Sequence, residues 1–364
     1  MTNNVDEKLS RLRERMRSKQ VDLVALGPGA HVQWLLNYHP YPDERMCLLL
    51  VGPDAHGFVM PKLNADAVRA HTDIEFFTWA DAQGYQEALK TALAKIAPAN
   101  VKNVALDETM RADFALNLMA ELPGAAHIFT ESTVGALRMR KTEEEFKLLK
   151  MNALLADGAQ QAAADAIKPG VTESQVADAI KAHFINNDAK PAFDIVGASE
   201  NGAFPHHHTS DRVLKDGDTV VVDLGGFKQG YPSDITRMVS IGEPSDEYKK
   251  VHAIVNEAVE AALAAAKPGV VARDVDNAAR SVIEKAGYGE YFTHRAGHGL
   301  GIEIHEPPYI SASSDVVLDE GMVFSIEPGI YMPGKFGVRL EEIVFLRADG
   351  PEVLSERSRD VVVV

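Results

Sequence analysis

The second half of this chain is written twice. Lys168-Pro169-Gly170-Val171 returns 99 residues later as Lys267-Pro268-Gly269-Val270, each after an Ala-rich helical stretch and each opening another helix. Leu214-Lys215-Asp216-Gly217-Asp218-Thr219-Val220-Val221-Val222-Asp223-Leu224-Gly225 returns 104 residues later as Leu318-Asp319-Glu320-Gly321-Met322-Val323-Phe324-Ser325-Ile326-Glu327-Pro328-Gly329. Ser210-Asp211 and Ser314-Asp315 keep that second offset. A period of about 100 residues is too long for a solenoid, whose units run to about 50. It predicts two similar helix-helix-strand-strand halves facing each other across a pseudo-two-fold axis. In that alignment Asp223 falls on Glu327, and Asp234 falls near Glu341.

Residues ahead of the duplication have another texture. Residues 5–19 read as a helix, with Leu9, Leu12 and Met16 three and four apart. Residues 21–26 and 45–51 read as strands, 83–96 as a helix stopped by Pro98, and 104–106 as a strand. This alternation predicts an α/β domain over 1–137. The texture changes at Met139-Arg140-Lys141-Thr142. There Thr142 and Glu145 form a capping box that opens a long amphipathic helix to about Ile167. Residues 138–364 are expected to form an α+β domain built on the duplication.

Composition narrows the chemistry. Cys47 is the single cysteine, so an intrachain disulfide and a cysteine-based zinc site are both excluded. Any metal must be held by His, Asp and Glu. With 53 acidic against 37 basic residues, the formal charge of −16 argues against a nucleic-acid or anionic-membrane partner. No apolar run approaches the ~18 residues of a membrane span, and the charged N-terminus has no apolar signal region. A cytoplasmic location is expected.

The duplicated acids can be placed on hairpins. Strands over 219–224 and 233–241 are joined by the turn-rich Gly225-Gly226-Phe227-Lys228-Gln229-Gly230-Tyr231-Pro232. A turn about Lys228-Gln229 sets Asp223 opposite Asp234. In the second half, a turn centred on Gly334 between strands 323–327 and 338–345 sets Glu327 opposite Glu341. Opposed side chains stand with Cβ atoms about 5 Å apart, and like charges so close are unfavourable without a cation between them. Acids flanking a hairpin are ordinarily solvated. Asp223 and Glu327, however, end the apolar runs Val220-Val221-Val222 and Val323-Phe324-Ser325-Ile326. Buried carboxylates there call for a metal.

Histidines cluster nearby. Gly297-His298-Gly299-Leu300-Gly301 sets an imidazole among glycines, and His294 and His305 flank it. One imidazole with four carboxylates suits Mn²⁺, Co²⁺, Zn²⁺ or Fe²⁺. Pro205-His206-His207-His208 reads as a site loop or a polar surface loop. His183 and His252 fall inside helical patterns and read as structural. Arg339, two residues before Glu341, points to the same strand face, to bind an anionic group or to neutralise carboxylate charge.

At these residues the chain resembles the pita-bread metallopeptidases, the family of Xaa-Pro dipeptidase (prolidase), aminopeptidase P and methionine aminopeptidase. The matching stretches are Val222-Asp223-Leu224-Gly225, Ser233-Asp234-Ile235-Thr236-Arg237, Gly297-His298-Gly299-Leu300-Gly301, Ile326-Glu327-Pro328-Gly329 and Val338-Arg339-Leu340-Glu341. The resemblance spans residues 140–364, and the first domain looks like the creatinase/prolidase N-terminal domain. It implies a pita-bread catalytic domain holding two divalent ions per chain, manganese first, with cobalt, zinc and iron as alternatives. Asp223, Asp234, His298, Glu327 and Glu341 are the implied ligands, with Asp234 and Glu341 bridging both ions. His206, His294 and His305 are implied in catalysis with Glu327, and His206, His305 and Arg339 in substrate binding. The chain departs from the prolidase pattern in the extra histidines after His206 and in Met238.

The implied activity is a dinuclear exopeptidase that hydrolyses the Xaa-Pro bond of dipeptides through a metal-bridging hydroxide. Competing readings are an aminopeptidase P acting on longer Xaa-Pro peptides, a metal-free creatinase-like amidinohydrolase, and a non-catalytic pita-bread binding module. The implied partners are a proline-containing peptide and a second copy of the chain in a homodimer. Residues 34–46, with Trp34, Tyr38 and Tyr41, are the expected interface or site wall.

Overall fold

In the computed structural model, which describes residues 2–364, the chain divides into two compact units, Met1–Arg138 and Met139–Val364. The first holds strands β1 (Leu23–Leu26), β2 (Leu48–Val51), β3 (His56–Pro61), β4 (Glu75–Trp79), β5 (Asn103–Leu106) and β6 (Ala126–Phe129) in one sheet ordered β4-β3-β2-β1-β5-β6. Six helices accompany them: α1 (Thr2–Lys19), α2 (Ala30–Leu36), α3 (Lys62–Arg69), α4 (Gln86–Ile96), α5 (Ala112–Ala120) and α6 (Val134–Arg138). Leu23, Leu48, Leu50 and Val104 of the sheet pack against Leu89, Leu93 and Ile96 of α4 and Phe114 and Leu118 of α5.

The expected apolar patch over 34–46 does not form. Trp34 is buried in the core, and Tyr38 stacks on His71 with ring centroids 4.1 Å apart. Of the three aromatics only Tyr41 stands out, 76% exposed. A helix spanning Ala30–Leu36 turns Trp34 inward, which a loop reading could not anticipate.

The second unit opens with α7 (Glu143–Ala166) and α8 (Glu173–Asn186), followed by β7 (Lys190–Ala198), β8 (Thr219–Lys228), β9 (Tyr231–Pro232) and β10 (Ile235–Ser240). Then α9 (Asp246–Ala265) and α10 (Ala272–Lys285) repeat the helix pair. They precede β11 (Gly297–Gly299), β12 (Glu306–Ile310), β13 (Val323–Ile326), β14 (Gly329–Met332), β15 (Phe336–Arg339), β16 (Glu342–Arg347), β17 (Gly350–Val353) and β18 (Val362–Val363). The first half-sheet runs β18-β10-β8-β7, the second β12-β11-β13-β16-β17, and β14-β15 is a separate hairpin. Two helices then antiparallel strands, twice over, is the duplication in three dimensions.

Small residues let the helices lie close to the sheets. Ala156, Ala159 and Ala163 of α7 join Val176, Ile180 and Phe184 of α8 over Val196, Val220, Val222 and Leu224. Buried among them, Gln160 donates to the carbonyls of Val222 (2.9 Å) and Ile235 (3.0 Å), tying α7 to both site-bearing strands. The capping box at Thr142 and Glu145 is present. Thr142→Ala should cost about 1 kcal/mol, read as a lower urea midpoint with unchanged slope. A change within error would show that packing alone holds the helix end.

Register differs from expectation in the first hairpin. Its turn is centred on Gln229-Gly230, both at positive φ (54° and 82°), and Thr236 pairs with Asp223. Asp234 is therefore diagonal to Asp223, two residues away, and stays on the same face because side chains alternate with period two. Glycine at the second central position suits the left-handed turn that matches strand twist, and Lys228-Gln229 lacks one. In the second hairpin, Gly329 pairs Arg339 and Ile326 pairs Glu342, so Glu327 and Glu341 do face one another in register. The strand expected over 338–345 is interrupted between them. Leu340-Glu341 belongs to neither ladder, and the Glu341 N–H reaches the Thr236 carbonyl of the first half (3.4 Å). No helix among the described residues is long and apolar enough to cross a membrane.

Candidate metal centre

The five acid and histidine side chains arrive from both halves of the duplication. Asp223 comes from β8 and Asp234 from the break before β10. His298 sits on β11, Glu327 just past β13, and Glu341 just before β16. Asp223, Asp234 and Glu341 offer ligand atoms within 4.8 Å of one another, and so do His298, Glu327 and Glu341. A third set of that size joins Asp234, His298 and His305. Glu341 is common to the first two sets, and Asp234 to the first and third.

The electrostatics are poor without a cation. Burial pushes the Asp234 carboxyl well above the usual carboxylate range, and the charges of Glu341, Asp223 and Glu327 push it further. Burial does the same to Glu341, helped by Glu327 and Asp223. Asp223 Oδ1 and Glu341 Oε1 are buried with no hydrogen-bond partner. The His298 ring is held in one orientation: Nδ1 lies 3.1 Å from the Gly299 carbonyl, which fixes the proton there. Nε2 then faces Glu327 Oε1 (3.3 Å) and Asp234 Oδ2 (3.7 Å) with its lone pair. Burial drives its pKa down to about 4, so the imidazole is neutral near pH 7. Orphaned carboxylate oxygens, a bare imidazole nitrogen and excess negative charge fit a divalent metal.

Among the described residues Arg339 is the one cation in contact with the cluster's carboxylates, and every nitrogen of its buried guanidinium is used. Nη2 donates to Asp223 Oδ2 (2.6 Å), Nε to Thr236 Oγ1 (3.1 Å), and Nη1 to Tyr331 Oη (2.8 Å) and the Pro205 carbonyl (3.2 Å). Thr236 passes the contact on, donating to Glu341 Oε2 (2.9 Å). Of the two expectations for Arg339, this arrangement supports charge neutralisation, and the contacts account for four of the five guanidinium N–H groups.

Each half anchors its histidine loop from its second helix. Glu173, fully buried at the start of α8, accepts from the Ala198 and Ser210 N–H groups and from Ser210 Oγ, and lies 3.0 Å from His207 Nε2. His207 is thereby engaged away from the acid cluster. In the other half, Asp276 on α10 pairs with Arg280 and accepts from the Ala296 N–H (2.8 Å). Arg280 donates in turn to the carbonyls of Phe292 and His294. His294 Nε2 meets Tyr331 Oη at 2.8 Å, and His305 packs edge-on against the His298 ring at 4.1 Å. The segment before His305 is held by a buried Lys141–Glu306 pair at 2.8 Å. Burial, then the neighbouring His298, drives the His305 pKa down to about 4.

All nine proposed site residues line one cavity of about 1070 Å³. Sequence reasoning missed Glu173, Asp276, Arg280, Thr236 and Tyr331, which set the geometry. The one available signal was an acid in the first turns of the helix after each Lys-Pro-Gly-Val.

Known proteins point the same way. Metallopeptidase family M24 matches residues 147–348, and the creatinase/prolidase N-terminal domain matches residues 8–140. The chain is 37% identical to the probable dipeptidase PepE of Mycobacterium tuberculosis, over 94% of this chain and 92% of that one. It is 35% identical to the Xaa-Pro dipeptidase of Lactobacillus helveticus, over 98% of each. The crystal structure of dipeptidase PepE from Mycobacterium ulcerans superposes with a TM-score of 0.94 at 34% identity, covering 100% of this chain and 98% of that one.

Proposed function

Because the chain belongs to metallopeptidase family M24, we propose that it hydrolyses the Xaa-Pro bond of dipeptides with two divalent ions held by Asp223, Asp234, His298, Glu327 and Glu341. The observation that carries this reading is the partition of the donors into two sets sharing Glu341. Divalent ions bound there lower the pKa of a water towards neutrality and polarise the scissile carbonyl. The chain's own groups do the rest. Glu327, held by Ser325 Oγ at 3.0 Å and partly open to the cavity, takes the proton of the attacking water and passes it to the proline nitrogen. That nitrogen is a tertiary amide nitrogen and leaves only when protonated. His206 and His305 donate to the developing oxyanion, and Tyr331 orients His294.

The oxygen-rich donor set favours manganese over softer ions, with cobalt, zinc and iron behind it. A single buried Cys47 suits the reducing cytoplasm. The resemblance to prolidases supports a homodimer, and sedimentation of a fully active monomer would refute it.

A cavity of about 1070 Å³ exceeds what a dipeptide fills, which favours a second reading, removal of the first residue from longer Xaa-Pro peptides. The deciding measurement is hydrolysis of Ala-Pro, Ala-Pro-Ala and Ala-Ala by chelated protein resupplied separately with Mn²⁺, Co²⁺ or Zn²⁺. Cleavage confined to Ala-Pro supports the dipeptidase. Equal cleavage of the tripeptide replaces it with the aminopeptidase, and full activity after exhaustive chelation sinks both.

A further inference from the structure

The histidine run after Pro205 divides by alternation. Pro205, His207 and Thr209 are partly buried, whereas His206 and His208 are exposed. The three inward residues are the anchored ones. The Pro205 carbonyl accepts from Arg339 Nη1 (3.2 Å), whose Nη2 donates to Asp223. His207 Nε2 lies 3.0 Å from Glu173 Oε2. Thr209 Oγ1 donates to the Asp194 carbonyl (3.0 Å) and accepts from the Val196 N–H (3.0 Å), which ties the end of the run to β7.

His206 lies between the first two anchors and has none of its own. Among the described residues its imidazole makes no hydrogen bond and no ion pair, and it lines the cavity. Burial, with His206 among the smaller causes, lowers the pKa of both His294 and His305, so His206 stands within electrostatic reach of the two. A side chain that is not itself held takes its aim from the backbone on either side. Before His206 that backbone is fixed to the Arg339–Asp223 pair. After it the anchor is the His207–Glu173 contact, beside a local turn bond from the His207 N–H to the Phe204 carbonyl (3.1 Å).

Glu173 is equipped to hold that contact. It is fully buried and accepts from the Ala198 N–H (2.8 Å), Asn201 Nδ2 (3.0 Å), the Ser210 N–H (3.1 Å) and Ser210 Oγ (2.6 Å). Burial pushes its carboxyl up, and the donors of Ser210, Ala198, His207 and Asn201 more than reverse this, leaving it below its ordinary value. An ionised carboxylate only accepts, so His207 Nε2 carries the proton and donates to it.

We propose that His207 is a positioning residue: its bond to Glu173 fixes the backbone that aims His206 at the developing oxyanion. This rests on the metallopeptidase reading above and on the part His206 plays in it. The second histidine of the run, one of the departures from the prolidase pattern, thereby acquires a use without touching substrate.

The test measures calorimetric binding of two ligands to manganese-loaded protein. One is a phosphinic analogue of Ala-Pro, which carries an anionic oxygen where the oxyanion develops. The other is an Ala-Pro isostere with a reduced peptide bond, which carries none. His206→Ala should weaken the phosphinic analogue about 100-fold, the loss of one oxyanion donor. His207→Ala should weaken it about tenfold, as a misplaced donor does, with binding of the reduced isostere and of Mn²⁺ unchanged. His207→Gln keeps an N–H for Glu173 without an imidazole and should recover most of the loss. With Ala-Pro itself, His207→Ala should lower kcat and leave KM near that of the unsubstituted protein. In the His206→Ala background, His207→Ala should add no further loss. Losses that multiply in the double variant would overturn the assignment in favour of an independent role for His207. A loss shared by the reduced isostere would overturn it in favour of a general loosening of the cavity wall, and failure of His207→Gln to recover binding would do so in favour of a direct imidazole contact. If His206→Ala binds the phosphinic analogue normally, the positioning role falls, while cleavage of Ala-Pro by the unsubstituted protein keeps the metallopeptidase reading. If the unsubstituted protein neither binds the analogue nor cleaves Ala-Pro, that reading falls first and takes this assignment with it.

Discussion

Asp234→Asn and Glu341→Gln each lose on the order of 10³-fold in turnover, because each removes a carboxylate shared between donor sets and several kcal/mol of metal-borne charge stabilisation with it. Elemental analysis should show metal content falling in parallel, and circular dichroism should show the fold intact. The thermal behaviour is the more telling part. In metal-free protein the cluster is a repulsive element, since among the described residues Arg339 alone is paired against its four acids. Either substitution should therefore raise the melting temperature of the metal-free protein while abolishing the further rise that Mn²⁺ gives the unsubstituted chain. Near-normal turnover at full metal occupancy would remove these two residues from the ligand set.

The pH dependence has a definite sign. Asp234 and Glu341 titrate above their usual range when folded, so they contribute stability that is complete below the unfolded carboxyl pKa of about 4. It drains away as pH rises through the raised values. His298 and His305, both pushed down to about 4, act in the opposite sense. Their contribution is complete above the unfolded pKa of about 6.5 and is lost as pH falls through 4. The two trends overlap in the unsubstituted protein. The difference between Asp234→Asn and the unsubstituted chain, both metal-free, isolates the first. That difference in melting temperature should widen from pH 5 to pH 8. A flat difference would mean that the Asp234 carboxyl is not strained by its neighbours.

How far the fold could be read ahead depended on whether the deciding interaction was local. Thr142 and Glu145 lie within one helical turn, so the start of α7 was legible. Gly334 centres the second hairpin and takes positive φ (73°), so the facing of Glu327 and Glu341 followed from counting. The first hairpin offered two adjacent centres, and glycine at 230 decided between them by a preference too small to see against the strand pattern. Arg339 defeats local reading altogether, because its partner Asp223 is 116 residues away. Strand alternation brings Arg339 to the acid face and says nothing of which acceptors wait there. Glu342 shows the same limit from the other side. Alternation turns it away from Glu341, which suggests a solvated residue and a mild Glu342→Gln. The opposite face is instead a second buried layer, closed by Arg237 and the chain around 355–358.

Arg237→Met should accordingly destabilise the second unit by about 3–5 kcal/mol, the cost of removing one partner from a buried ion pair. Arg237 is 1% exposed, and it donates to the Glu341 carbonyl (2.5 Å), the Thr236 carbonyl (3.1 Å), Glu342 Oε1 (2.9 Å) and the carbonyls of Arg357 (2.8 Å) and Ser358 (2.9 Å). Methionine fills the stem volume and satisfies none of these acceptors. Glu342 would keep only Arg359, at 3.4 Å. Glu342→Gln retains an acceptor and should fall at the lower end, about 3 kcal/mol. Replacing both residues, Arg237→Met with Glu342→Met, should be less damaging than Arg237→Met alone, because no buried charge is then left unpaired. The consequence for the centre follows from the Glu341 carbonyl. Arg237 grips the backbone of a proposed ligand from behind, so its loss should weaken Mn²⁺ binding by about 10–100-fold, the usual effect of removing a support behind a ligand. Urea unfolding of the metal-free variants and Mn²⁺ titration of the folded ones separate the two effects. If Arg237→Met unfolds within about 0.5 kcal/mol of the unsubstituted chain, the level of an ordinary surface substitution, the buried layer is not what holds the chain around 355–358 against the metal-bearing strands.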